Sequence, residues 1–88
     1  MFENETPVAW TVMPEHVPVV GADGSELGIA EEVLGDREED IFHGIVMRRR
    51  DGQLVELLAE HVRKTTEQHV VTDLTGSDAE ALSAYRRR

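Results

Sequence analysis

The sequence predicts a mainly β domain, a small closed antiparallel barrel of five to six strands with one short C-terminal helix. Three observations lead there. Short apolar and β-branched runs recur along the chain, turn signals separate them about every 8 to 14 residues, and the single helix-start signature comes at the end. Closure is expected because an open sheet of this size leaves unpaired backbone at both edges.

Residues 1–9 have no sustained period and are interrupted by Pro7, so they read as a flexible N-terminal arm. Trp10, Val12 and Met13 are expected to pack as an apolar clasp ahead of Pro14, and Pro18-Val19-Val20 opens the first strand. Gly21-Ala22-Asp23-Gly24-Ser25 is the clearest turn, since Asp tolerates the left-handed region and Gly enters it without a Cβ clash. From Glu26 to Leu34 the apolar phase runs through Leu27 and Ile29 and shifts to Val33 and Leu34, which predicts a bulge near Glu31-Glu32. Gly28 and Gly35 argue against a helix there.

After the polar connection 36–40, residues 41–47 (Ile-Phe-His-Gly-Ile-Val-Met) are apolar on both alternating sets of positions, as in a central strand covered on both faces. Asp51-Gly52 marks a tight hairpin, and residues 53–58 return. Ala59-Glu60-His61 is a corner, and residues 62–66 and 69–72 are two further strands joined without Gly or Asn. Ser77-Asp78-Ala79-Glu80 has capping-box spacing and predicts a helix from Asp78 to about Tyr85, with Ala79, Leu82 and Tyr85 as a thin apolar stripe. The expected organisation is therefore an arm over 1–9, a barrel domain over 10–74, and a helix with a basic tail over 77–88.

The chain is 88 residues long and has no cysteine, so one small core without disulfides is expected. Thiol chemistry and thiolate zinc sites are excluded, and a reducing, cytoplasmic setting is expected. Glu3 and Glu5 occupy the N-terminal region where a targeting peptide carries basic residues, and no apolar run approaches the roughly 20 residues of a membrane span. A net charge of −9 speaks against nucleic acid or an anionic membrane as partner.

Common chemistries fail on spacing. Gly21, Gly24 and Gly28 miss the dinucleotide fingerprint, and Lys64, the sole lysine, has no glycine before it to form a phosphate loop. Ser25 lacks the preceding glycine of a nucleophile elbow, because Asp23 holds that place. A calcium loop beginning at Asp36 meets Ile41 and Met47 where Gly and Glu are needed. His16, His43, His61 and His69 show no metal-ligand spacing, and His43 reads as a hydrogen-bonded core imidazole. Adjacent Glu31 and Glu32 should face opposite ways. No catalytic residue, cofactor or metal ligand is expected.

Two basic clusters remain, Arg48-Arg49-Arg50 and Arg86-Arg87-Arg88. The first can pair with Asp51 or Glu56 across the hairpin, or orient an encounter with an acidic partner, including a second copy. No aromatic residues interleave with the arginines, which disfavours RNA. Arg48, Arg49, Arg50, Leu82 and Tyr85 are the candidate partner-binding residues.

The segment Val19-Val20-Gly21-Ala22-Asp23-Gly24-Ser25-Glu26-Leu27-Gly28, then Val33-Leu34, the run 41–47 and Leu57-Leu58-Ala59-Glu60-His61-Val62 together resemble the PRC-barrel domains. That family is named for the H subunit of the photosynthetic reaction centre and also occurs at the end of a ribosome-maturation factor. The resemblance covers residues 17–74, with Ala59 where the family often has Pro. It implies a barrel and a non-enzymatic adaptor that binds a protein, here expected to be a second copy of itself. The other class considered is a small divalent-cation-dependent enzyme or ligand-binding barrel using the acidic loop 36–40 and a histidine.

Overall fold

A computed structural model describes residues 4–85; residues 1–3 of the arm and the Arg86-Arg87-Arg88 tail lie outside the described residues. The strands are β1 (Pro18–Val20), β2 (Glu26–Asp36), β3 (Ile41–Arg49), β4 (Leu54–Leu58), β5 (Val62–Thr65) and β6 (Val70–Thr72), followed by one short helix, α1 (Gly76–Glu80). They form one six-stranded sheet in the order β4-β3-β2-β1-β6-β5. The sheet is mixed, because β1 and β6 run parallel, and its outer strands β4 and β5 do not pair. The closed antiparallel barrel is thus replaced by an open sheet, while the mainly β class and the C-terminal helix stand.

Local chemistry explains most of the turns. Gly24 (φ 85°) and Gly52 (φ 86°) take left-handed backbone at the two Asp-Gly turns. Glu31 is the extra residue in the β2–β3 pairing, between Ala30 opposite Met47 and Glu32 opposite Val46, so the expected bulge is present. A second register shift, between Leu34 opposite Gly44 and Gly35 opposite Phe42, leaves His43 as the extra residue on β3. That bulge turns His43 outward, so it is exposed and not a core imidazole. Beside it Gly44 (φ 152°) lets β4 approach, since a Cβ there would lie 2.2 Å from the Leu57 carbonyl oxygen.

The core gathers Val19, Leu27, Ala30, Ile45, Met47, Val55, Leu57, Val70 and Leu74, joined by Met13, Val17 and Ala79. Val46 is also fully buried, on the opposite face of β3, in the row Glu32–Val46–Glu56. A single copy therefore covers both faces of this central strand. The 3₁₀ turn at Trp10–Val12 splits the expected clasp. Trp10 stacks on Phe42 at 5.6 Å and Met13 enters the core, but Val12 is 68% exposed, because successive residues of so tight a turn point in different directions.

The helix differs from expectation in start and length. Thr75, not Ser77, is the N-cap: its hydroxyl accepts from the Asp78 N–H at 3.2 Å and the Asp78 carboxylate accepts from the Thr75 N–H at 3.0 Å. The helix ends at Glu80 instead of reaching Tyr85, and Ala84 pairs antiparallel with Val55 on the outer side of β4. Two backbone bonds of 2.9 Å, Glu56 N–H to Ser83 carbonyl and Tyr85 N–H to Leu54 carbonyl, satisfy edge groups that another helical turn would leave open.

The opposite edge is covered by the N-terminal arm. Val8 N–H donates to the Thr65 carbonyl at 2.8 Å, and the Thr65 hydroxyl donates to the Val8 carbonyl at 2.7 Å. Two residues on, Trp10 lies against Gly35 and Phe42. Chain of that length reaches about 7 Å, so the sheet coils until its β5 edge approaches the β2–β3 hairpin. Terminal segments, not a β4–β5 ladder, complete the fold. Among the described residues no helix is long and apolar enough to cross a membrane.

Candidate functional site

The arginine triplet separates according to strand parity. Arg49 is in phase with Ile45 and Met47, whose side chains enter the core, while Arg48 and Arg50 fall on the alternate positions. Arg49 is accordingly the least exposed, its side chain 16% accessible against 55% for Arg48. Its Nη2 donates to Asp51 Oδ2 at 2.9 Å and to Gln53 Oε1 at 2.7 Å, and its Nη1 donates to the Glu80 carbonyl at 3.0 Å. The guanidinium thus clips the β3–β4 hairpin to the C-terminal end of α1, where cations suit the helix dipole. Its Nε is buried without a hydrogen-bond partner.

Asp51 is organised by the same turn. Its Oδ1 accepts from the Gln53 N–H at 3.0 Å, and this bond, followed by the bond and charge of Arg49, holds its carboxyl below the usual aspartate range. Arg48 does not reach across the hairpin to Glu56. Its Nε lies 3.0 Å from Glu31 Oε1, because the bulge brings Glu31 to it; His16 Nε2 is 3.6 Å from the same carboxylate.

Between β2, the hairpin and α1 runs an open groove of about 610 Å³. Leu27 and Ala79, both nearly buried, supply its apolar part, and Glu26, Arg49, Arg50 and Glu80 line it with charge. Leu82 and Tyr85 do not join this groove. Leu82 packs on the chain's own core, and Tyr85 is half-buried beside β4.

Two histidine clusters lie elsewhere. His61 Nδ1 is 3.1 Å from Asp73 Oδ1, and Arg63 Nη2 donates to the other Asp73 oxygen at 3.0 Å, at a shallow cavity that also includes Asp78 and Leu82. Asp78 is kept below its ordinary range by its bonds from Thr75, the backbone bond first. The second cluster joins Glu5 to Thr66 and His69. Thr66 Oγ1 donates to Glu5 Oε1 at 2.6 Å, and His69 Nδ1 lies 2.8 Å and 2.9 Å from the two carboxylate oxygens. These bonds, Thr66 first, lower the Glu5 carboxyl below its usual range.

The acidic loop is occupied with its own turn. Asp36 Oδ1 accepts from the N–H groups of Glu38 and Glu39 at 3.0 and 3.1 Å, and Asp40 Oδ1 accepts from Trp10 Nε1 at 3.2 Å. Among the described residues no three His, Asp or Glu side chains are arranged to hold a metal ion. Arg49 shares the parity of Ile45 and Met47, a signal that reading the three arginines as one cluster misses. Glu5 carried no such signal, as 64 residues separate it from His69. Compared with known proteins, the chain matches no family model and no curated protein.

Proposed function

We propose that this chain is a non-enzymatic protein-binding module of PRC-barrel type that associates with a second copy of itself, in the cytoplasm. The observation that carries this reading is the groove beside α1, floored by the core residues Leu27 and Ala79 and walled by Arg50 and by Glu26 and Glu80. A two-fold interface must be self-complementary. A groove walled by both charge signs suits that requirement, since the Arg50 of one copy can face the Glu26 and Glu80 of the other. The resemblance of residues 17–74 to PRC-barrel domains supports an adaptor role, and the cysteine-free composition suits a reducing compartment. With Leu82 and Tyr85 engaged on their own sheet, Arg49 clipped to the helix end and Arg48 paired with Glu31, Arg50 is the member of the candidate set that lines the groove.

Sedimentation velocity across a micromolar concentration series tests the reading. Association that weakens in high salt, weakens in Arg50→Glu and in Glu80→Arg, and returns when these two variants are mixed is the expected result. A monomer at every concentration up to roughly 100 μM, where even a weak specific dimer is populated, overturns it.

A further inference from the structure

The N-terminal arm is held on the β5 edge by two kinds of bond that do different work. One is main-chain pairing, the Val8 N–H to the Thr65 carbonyl at 2.8 Å, returned by the Thr65 hydroxyl to the Val8 carbonyl. The other is a carboxylate pocket three residues earlier in the arm, where Thr66 and His69 hold Glu5 and the charge of Lys64 also favours its ionised form. Thr66 is fully buried and shaped for this task, its Oγ1 also accepting from the N–H groups of Gln68 at 3.1 Å and His69 at 2.9 Å. Strand addition to a sheet edge works in this way: backbone bonds give affinity, and a side-chain pocket gives specificity. Pro7, between the two anchors, has no N–H to offer a further strand, so pairing stops at the arm.

We infer that the β5 edge, with its Thr66–His69 carboxylate pocket, is a docking site for an extended acidic segment of a partner protein, and that residues 4–8 of this chain are its resident placeholder. The inference rests on the protein-binding reading and names a second surface for it. The segment that fits carries a carboxylate three residues ahead of a backbone N–H, which is the pattern Glu5 and Val8 present. A partner must displace the arm, and tethering gives the arm an effective concentration on the order of millimolar. Loosening the arm should therefore raise affinity for an added segment.

The test uses the full-length chain and a fluorescent peptide, Asn-Glu-Thr-Pro-Val-Ala, copied from residues 4–9, with binding read by anisotropy. Glu5→Ala should bind the peptide about tenfold more tightly than the wild type, because its own arm competes less well. Val8→Pro, which removes the other anchor's N–H, should act in the same direction and serves if Glu5→Ala fails to fold. Replacing the peptide's Glu by Gln, or adding His69→Ala to the loosened chain, should abolish the gain. Equal binding to wild type and both loosened variants, no binding to any, or indifference to the Gln peptide overturns the inference. Self-association that persists while the peptide fails removes this inference alone; peptide binding by a strictly monomeric chain removes the self-association alone.

Discussion

The guanidinium of Arg49, the last residue of β3, donates to the carbonyl of Glu80, the last residue of α1, at 3.0 Å. This bond links residues 31 apart in sequence, at the point where the chain leaves its helix for the β4 edge. Arg49→Ala should lower stability by about 2 kcal/mol, as expected for charge-assisted bonds at a site only 16% accessible. Arg49→Lys should recover little of it, because an ammonium cannot span Asp51, Gln53 and the helix end together. Urea denaturation of both variants measures this, and a lysine variant as stable as wild type would refute the clip.

Gly44 and Gly76 should respond oppositely to alanine. At Gly44 a Cβ would meet the Leu57 carbonyl oxygen at 2.2 Å in a backbone region alanine avoids, so Gly44→Ala should cost about 2 kcal/mol or more. At Gly76, in the first turn of α1, nothing lies within 4 Å of the added methyl, and Gly76→Ala should stabilise by about 0.5 kcal/mol. Thermal melts of the pair decide both signs.

The position of the N-cap can be tested with two alanines. Thr75→Ala removes the hydroxyl that accepts from the Asp78 N–H and should cost about 1 kcal/mol. Ser77→Ala lies inside the helix and should be neutral or slightly favourable. Equal losses at the two sites would restore the capping frame read from Ser77 and Glu80.

Acid should release the arm. The Glu5 carboxyl lies below its ordinary value of 4.5 in the folded chain. A depressed carboxyl adds stability that is complete above the unfolded value and is lost as pH falls through the folded one. The wild type should therefore gain over Glu5→Gln above pH 4.5, and the difference should fade below it. Melting both proteins from pH 7 to pH 3 checks this; a constant difference over the range would show that the charge of Glu5 is irrelevant.

Much of the framework was legible along the chain. The Asp-Gly turns, the bulge at Glu31, the corner at Ala59–His61 and the burial of Ile45, Val46 and Met47 all follow from local backbone preference or period-two patterning. The connection at Thr66 was harder to place, because a buried hydroxyl does the work usually left to Gly or Asn. The apolar neighbours of His43 suggest a core position and conceal the bulge that faces it to solvent.

Turn chemistry and alternation along the chain therefore settled most of the strands and the two Asp-Gly turns, since each depends on neighbours a few residues away. Folding in three dimensions settled that β1 lies parallel to β6, that the sheet stays open between β4 and β5, and that residues 4–8 and 83–85 cover its edges. Backbone groups on an outer strand will pair with any extended segment that comes within reach. Which segment arrives depends on the coiling of the whole sheet, and that is how Glu5 comes to rest against Thr66 and His69.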